Sequence, residues 1–154
     1  VKNIVSSLLA ELDYVGVLAI EFFYGSEGLL VNEIAPRTHN SGHFSIDACT
    51  SSQFDQQICV TSGIDVPTPE MLVNGALMAN LLGLQANYPI TLAQRLDNLR
   101  AIPGVNLHWY EKEEEKKGRK LGHVTYLLNH KDAMSRKKEA LDVLKTIRSI
   151  WPTS

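Results

Sequence analysis

Residues 17–34 of this 154-residue chain read VLAIEFFYGSEGLLVNEI and predict a β-hairpin. The two apolar runs, 17–24 and 29–34, are typical of strands, and the glycine-bounded segment 25–28 between them is typical of a tight turn. A hairpin centred on Glu27 places Glu21 and Glu33 opposite or nearly opposite each other, because both are equally distant from that centre. Directly opposed like charges destabilise a sheet, so we expect a cation between these two carboxylates.

Mg²⁺ is the cation that this pair of carboxylates suits best. Side chains alternate along a strand, so Glu21 and Glu33 share one face of the hairpin, with Cβ atoms about 5 Å apart. Proteins usually hold Mg²⁺ with one or two carboxylates together with substrate phosphates. The alternative is that Glu21 is a surface residue at a strand end, but its apolar neighbours Ile20 and Phe22 favour a buried carboxylate. The sequence therefore predicts Glu21 and Glu33 as metal ligands.

A dense polar segment, APRTHNSGH (residues 35–43), follows the second strand. The planar fork of Arg37 suits a carboxylate, a phosphate or bicarbonate, although a structural salt bridge with Glu33 is an alternative. His39 and His43 have the i, i+4 spacing of metal ligands, but without a third soft ligand nearby we do not expect zinc. We expect His39 to hydrogen-bond an anion or a hydroxyl, and His43 to lie at the start of a helix.

The composition is that of an ordinary globular chain, with 44% hydrophobic residues, 21% charged residues and a net charge of −2. This charge predicts no affinity for nucleic acid or a membrane surface, and no apolar run approaches the roughly 18 residues of a membrane span.

Cys49 and Cys59 are about 15 Å apart on one predicted helix, too far for a disulfide. We expect reduced core cysteines in a cytoplasmic protein. Because the chain begins at Val1 within a helical pattern, we expect a fragment of a longer protein.

Apolar periodicity and turn residues predict the remaining elements. The first unit begins with a helix that ends near residues 13–16, where Gly16 can supply a helix-ending conformation. After the hairpin it continues with a helix over 45–62 closed by Gly63. A smaller unit follows a proline-containing linker. Its predicted elements are a strand (76–82), a loop, a helix (91–102), a strand (105–111), a charged turn (112–120), a strand (121–128) and a helix (135–150). We therefore predict an α/β chain of the α+β type, with antiparallel sheet and helices in residues 1–73 and a small β-rich subdomain in residues 74–154.

A second basic segment, KKGRKLGH (residues 116–123), opens the last predicted strand. Glycines allow a backbone to approach a ligand closely, and the side chains of Arg119 and Lys120 suit a phosphate. A solvated basic hairpin is an equally good interpretation of the pattern.

Several of these segments together resemble the carboxy-terminal half of the N5-carboxyaminoimidazole ribonucleotide synthetase family of ATP-grasp enzymes, the ATPase part of phosphoribosylaminoimidazole carboxylase. The resemblance covers nearly the whole chain and rests on GVLAIEFF (16–23), LVNEIAPR (30–37), HNSGH (39–43), IDAC (46–49), SQF (52–54), NLLG (80–83), HWY (108–110) and GRKLGH (118–123). Thr38 stands where the family usually has proline. The family's amino-terminal domain and its lid-like subdomain have no counterpart in these residues.

The resemblance implies ATP-dependent carboxylation of 5-aminoimidazole ribonucleotide with bicarbonate, through carboxyphosphate, in de novo purine biosynthesis. It implies that the full enzyme performs this reaction and that the fragment alone is inactive. Glu21 and Glu33 would hold Mg²⁺ against the ATP phosphates, and Asn32 and Glu33 would contact the cofactor. The implied substrate-binding residues are Arg37, His39, Asn40, Arg119 and Lys120, and the implied catalytic residues are Arg37, His39, Asn40 and Lys120.

The implied partners are the missing amino-terminal domains of the parent chain, a second copy in a homodimer, and a mutase domain or subunit, with no nucleic acid and no membrane. Two other functions stay open at this stage. One is a catalytically incomplete domain that binds nucleotide or supports oligomerisation. The other is a different ATP-grasp ligase, such as formate-dependent glycinamide ribonucleotide transformylase.

Overall fold

In the computed structural model, which describes residues 1–84 and 89–153, the chain forms two compact units. The first unit comprises Val1–Ile46 and Thr50–Glu70. The second comprises Asp47–Cys49 and Met71–Ser154. The loop predicted after residue 82 falls partly on residues 85–88, which lie outside the described residues.

The amino-terminal part of the chain consists of a helix, a hairpin and three short helical segments. The elements are α1 (Lys2–Leu12), β1 (Ala19–Gly25), β2 (Gly28–Ala35), a 3₁₀ helix (Asn40–Gly42), α2 (Ser45–Ala48) and α3 (Gln53–Ser62). Helix α1 ends within the predicted segment, and its C-cap is Asp13, which adopts the left-handed conformation (φ 46°) in place of Gly16. An aspartate tolerates this conformation because its short polar side chain can hydrogen-bond locally.

The hairpin register confirms that Glu21 pairs with Glu33, although by a different route from the one predicted. At the turn, Gly25 pairs with Gly28, so the hairpin is centred between residues 26 and 27 rather than on Glu27. A register shift then follows, because Phe22 pairs with Val31 and Glu21 with Glu33, which leaves Asn32 as the extra residue of a β-bulge. Without the bulge, this turn would pair Glu21 with Asn32. The bulge shifts the register by one residue, so that Glu21 pairs with Glu33.

The single helix predicted over 45–62 is wrong, because α2 ends at Ala48 and α3 begins at Gln53. Ser52 forms a capping box with Asp55: its Oγ accepts from the Asp55 N–H at 3.2 Å, and Asp55 Oδ2 accepts from the Ser52 N–H at 2.9 Å. Such a cap starts a new helix and competes with helix continuation. Cys49 and Cys59 therefore do not share a helix, while both are free, as expected. Helix α3 ends at Gly63 (φ 67°), as predicted.

The second unit contains a three-stranded antiparallel sheet and two helices. Strand order is β3–β5–β4, with β5 in the centre. The elements are β3 (Gly75–Leu82), α4 (Leu92–Arg100), β4 (Val105–Trp109), β5 (Lys120–Leu128) and α5 (Ala133–Ile150). Each matches a predicted element to within a few residues. The observed mixture of helices with two antiparallel sheets confirms the predicted fold class.

The main apolar core of the described residues lies in the second unit, where α4 and α5 pack against the sheet. Leu99, Leu121, Ile147 and Trp151 are completely buried there. The Trp151 Nε1–H donates to the Leu82 carbonyl at 2.7 Å, which joins the end of α5 to the end of β3. Among the described helices, none is both long and apolar enough to cross a lipid bilayer.

Candidate functional site

Three acidic and amide side chains of the hairpin meet one histidine from the loop that follows. Asn32 Nδ2 donates to Glu21 Oε2 at 3.2 Å, so the bulged residue holds one of the paired carboxylates. His39 lies between the two acids, with Nδ1 3.5 Å from Glu21 Oε1 and Nε2 3.7 Å from Glu33 Oε1. The structure therefore brings together the four predicted site residues Glu21, Asn32, Glu33 and His39.

The backbone of His39 is held by a side chain to which the sequence pattern assigned no role. Gln53 Oε1 accepts from the His39 N–H at 2.8 Å, and Gln53 Nε2 donates to the His39 carbonyl at 2.8 Å. One amide side chain thus satisfies both backbone groups of His39, much as a neighbouring strand would. Gly42 makes room for it, since a Cβ at that position would lie 2.5 Å from Gln53 Oε1.

Ser41 contacts one ring nitrogen of His39 through both its backbone and its side chain. The Ser41 N–H donates to Nδ1 at 3.4 Å, and Ser41 Oγ lies 2.9 Å from the same nitrogen. The tautomer that accepts this hydrogen bond at Nδ1 carries its proton on Nε2, the nitrogen that faces Glu33, whereas the other tautomer leaves Nε2 free as a ligand atom. The His39 side chain is only 11% exposed, so it is much less solvated than the two acids.

The donor set fits a divalent cation. Glu21, Glu33 and His39 each offer a ligand atom, and these atoms lie within 4.8 Å of one another. Carboxylate oxygens are hard ligands of the kind that Mg²⁺ prefers. The expectation that Glu21 is buried is wrong, however, because its side chain is 38% exposed and that of Glu33 is 47% exposed. Both acids lie at the hairpin surface, where a phosphate-bound cation could reach them.

The polar segment that contains His39 holds three further candidate residues, Arg37, Asn40 and His43, and their contacts differ. Arg37 is exposed and donates to the Thr38 carbonyl at 2.9 Å; within the described part of the chain it forms no salt bridge with Glu33. Asn40 Oδ1 is buried and accepts no hydrogen bond from any described residue. His43 ends the 3₁₀ helix, and its Nδ1 lies 2.7 Å from Gln53 Nε2.

The two basic candidates of the second unit lie where its central strand begins. Arg119 follows Gly118 (φ 75°), and Lys120 is the first residue of β5, paired with Leu82 next to a register shift. Both side chains are exposed. The second unit thus presents Arg119 and Lys120 as consecutive exposed residues where its central strand begins.

The sequence did not reveal a connected polar cluster in the second unit. His108 Nε2 lies 2.9 Å from Asp47 Oδ2, and the His108 ring stacks on that of His123 at 4.5 Å. Tyr110 Oη lies 2.8 Å from His123 Nδ1, and burial raises the pKa of the Tyr110 phenol. His108 and Tyr110 are two apart on a strand, which indicates a shared face. Nothing in the sequence pointed to Asp47 as their neighbour, because it is far away along the chain.

Two family models match consecutive parts of the chain. Residues 1–54 match the ATP-grasp domain, and residues 76–137 match the phosphoribosylaminoimidazole carboxylase C-terminal domain. The first match contains Glu21, Asn32, Glu33 and His39, and the second contains Arg119 and Lys120, so both candidate clusters fall within matched regions.

Similar proteins include curated and solved N5-carboxyaminoimidazole ribonucleotide synthases. A curated relative from Synechococcus elongatus, N5-carboxyaminoimidazole ribonucleotide synthase, is 44% identical over 99% of this chain and 38% of its own length. A solved N5-carboxyaminoimidazole ribonucleotide synthetase from Thermus thermophilus has a TM-score of 0.77 and 31% identity, covering 97% of this chain and 37% of that one. An Aspergillus clavatus synthase, solved with ADP and 5-aminoimidazole ribonucleotide, has a TM-score of 0.73 and 27% identity over 95% of this chain and 39% of that one. The chain thus spans less than two fifths of the length of these relatives.

Proposed function

The chain belongs to the N5-carboxyaminoimidazole ribonucleotide synthase family and corresponds to its carboxy-terminal part, and from this membership we propose its function. It contributes part of the active site of an ATP-grasp ligase. The complete enzyme carboxylates 5-aminoimidazole ribonucleotide with bicarbonate and ATP, through carboxyphosphate, in de novo purine biosynthesis. Because the chain spans only part of its relatives' length, we expect the chain alone to be inactive.

The observation that carries this proposal is the cluster of Glu21, Glu33 and His39 on the hairpin and its following loop. Glu21 and Glu33 would hold Mg²⁺, and Asn32 would orient Glu21 through its hydrogen bond and contact the nucleotide with Glu33. When bound, the ion would neutralise negative charge that develops as the phosphoryl group moves. Two paired carboxylates repel each other, and a cation bound between them would offset this repulsion.

The neighbouring residues would bind and orient the molecules that react. In the tautomer whose Nδ1 accepts from Ser41, His39 donates a hydrogen bond from Nε2. Asn40 has a buried amide oxygen without a partner among the described residues, and Arg37 has an exposed guanidinium that suits an anion. We assign these three side chains to bicarbonate, carboxyphosphate or the acceptor amine, and count them with Lys120 as the catalytic residues.

Arg119 and Lys120 would bind the phosphate of the ribonucleotide or the phosphate that is transferred. Two adjacent exposed cations after a glycine suit such a dianion. We also propose that residues 1–73 form the ATP-grasp part and residues 74–154 the small carboxy-terminal subdomain. The family matches over residues 1–54 and 76–137 support this boundary.

The proposal extends to partners and location. Five of the large apolar side chains of α1 and the hairpin, each between 45% and 63% exposed, are Ile4, Leu12, Phe23, Leu30 and Val31. Exposed apolar patches of this kind are typical of interfaces. We propose that the amino-terminal domains of the parent chain and a second copy in a homodimer use such surfaces. A mutase domain or subunit and a cytoplasmic location complete the proposal.

Ligand titration tests this function. The chain is titrated calorimetrically with Mg-ADP, with 5-aminoimidazole ribonucleotide and with glycinamide ribonucleotide, each separately. We expect binding of the first two and no binding of the third. In the complete enzyme that carries this sequence, phosphate release from ATP should require both bicarbonate and 5-aminoimidazole ribonucleotide.

Two results would replace the proposal by one of its alternatives. Binding of glycinamide ribonucleotide in place of the imidazole nucleotide would indicate another ATP-grasp ligase. Failure of the complete enzyme to release phosphate under any of these conditions would indicate a domain that only binds nucleotide or supports oligomerisation.

A further inference from the structure

The loop between β4 and β5 carries the proposed phosphate-binding residues, yet it has little regular structure of its own. Residues 110–119 form no helix and no strand apart from an isolated bridge between Lys117 and Gly83. Nearly all of these side chains are exposed. A loop of this kind needs specific tethers to hold Arg119 and Lys120 in one place, because an untethered loop samples many conformations.

Gly83, just after β3, supplies the first tether. The Gly83 N–H donates to the Arg119 carbonyl at 2.8 Å, and the Gly118 N–H donates to the Gly83 carbonyl at 2.9 Å. The backbones approach so closely that a Cβ on Gly83 would lie 1.9 Å from the Lys116 carbonyl oxygen. Only glycine permits this approach.

Arg95 on α4 supplies the second tether. Its Nη2 donates to both carboxylate oxygens of Glu115, at 2.8 and 3.0 Å. The Arg95 side chain is 4% exposed and that of Glu115 is 29% exposed. The guanidinium carbon of Arg95 also lies 4.3 Å from the ring centroid of the buried Trp151. The loop is therefore attached through Glu115 to the main core of the unit.

This ion pair differs from the other pairs nearby. Arg100 and Asp97, also on α4, are 57% and 73% exposed, and an exposed pair contributes little to stability. Arg95 loses its hydration on burial, and a buried charge is costly when its partner is removed. The unit thus uses a buried cation to hold one exposed loop.

We propose that Arg95 and Glu115 are positioning residues for the reaction. Together with Gly83 they hold the Lys116–Lys120 backbone so that Arg119 and Lys120 face the ribonucleotide phosphate. This inference rests on the proposed function, since it takes the phosphate-binding role of Lys120 from there. A misplacement of about 1 Å at such a site can lower the rate by about a hundredfold, so the tether should affect binding of one substrate strongly.

The test compares variants of the complete enzyme that carries this sequence. Glu115→Gln should raise the KM for 5-aminoimidazole ribonucleotide by about tenfold and leave the KM for ATP within about twofold. Asp97→Asn is the control, because it removes the acid of an exposed ion pair on α4, the helix that carries Arg95, and it should change neither constant. If the Arg95–Glu115 pair only stabilised the fold, Glu115→Gln would change the KM values for both the ribonucleotide and ATP, or neither of them.

A second variant separates loss of the tether from loss of the fold. In Arg95→Met combined with Glu115→Leu, both charges are replaced by apolar side chains, a change that is often neutral for stability. The double variant should keep the thermal unfolding midpoint and still raise the KM for the ribonucleotide. Unchanged KM values in a folded double variant would overturn the inference.

Lys120→Ala distinguishes failure of this inference from failure of the proposed function. If Lys120→Ala raises the KM for the ribonucleotide and Glu115→Gln does not, the positioning role is refuted and the proposed function stands. If Lys120→Ala leaves that KM unchanged, the phosphate-binding role of Lys120 is itself wrong, and the inference is refuted along with it.

Discussion

Replacing Gln53 with methionine should release the loop that holds His39. The Gln53 side chain forms a pair of 2.8 Å hydrogen bonds with the backbone N–H and carbonyl of His39, and it lies 2.7 Å from Nδ1 of His43. Methionine has a similar length and a similar helix propensity, but it can form none of these hydrogen bonds. The substitution therefore removes three polar contacts without shortening the side chain.

The expected loss of stability follows from these three contacts. Each part-buried hydrogen bond contributes about 1 kcal/mol, so we expect the free energy of unfolding to fall by about 2–3 kcal/mol. The His39 backbone groups also lose the partner that fixes the ring between Glu21 and Glu33. In the complete enzyme we therefore expect the rate of phosphate release to fall as well.

Urea unfolding of the chain, followed by circular dichroism, measures the first effect. Gln57→Met is the matched control, because Gln57 lies one turn later on α3 and its side chain forms no hydrogen bond with the described residues. We expect the control to stay within about 0.5 kcal/mol of the parent chain. Equal destabilisation by Gln53→Met and Gln57→Met would refute the reasoning, since the loss would then come from the helix and not from the contacts with His39.

Three further predictions concern the metal site, the core and the response to acid. Glu33→Gln should weaken Mn²⁺ binding, measured by electron paramagnetic resonance, by about tenfold or more, whereas Glu27→Gln in the turn should not weaken it. Leu99→Ala should lower the free energy of unfolding by about 3 kcal/mol in urea titrations, because Leu99 is completely buried. Hydrogen bonds from Ser52 hold the pKa of Asp55 below its ordinary value of 3.8, so its contribution to stability is present above that pH and is lost as the pH falls through the lower, folded-state value. Urea titrations between pH 5 and 2 should therefore show a weaker pH dependence in Asp55→Asn, and an unchanged dependence would contradict this account.

Local patterns were sufficient to predict most elements of the chain. Apolar runs bounded by turn residues predicted all five strands of the described residues, and periodicity predicted α1, α4 and α5 to within a few residues. The exception was the helix over 45–62, where apolar spacing continued across a break that the Ser52 capping box creates. A capping residue and a solvent-facing helical residue are chemically alike, so spacing alone did not separate them.

The candidate metal site was predictable because a hairpin relates sequence distance to spatial distance. Glu21 and Glu33 are close in the chain, and the turn between them is short. The exposure of both acids and the bulge at Asn32 were not predictable, because they depend on how the hairpin twists and on what covers it.

By itself, the sequence determined the hairpin, the pairing of Glu21 with Glu33 and the division into helices and strands, since all of these follow from interactions between residues near each other in the chain. Only the tertiary structure decided that Gln53 holds His39, that Arg95 holds Glu115 and that Asp47 meets His108. Each of these contacts joins residues that are far apart in the chain, from 14 positions for Gln53 and His39 to 61 for Asp47 and His108. Their geometry depends on the packing of whole elements, and no local pattern carries that information.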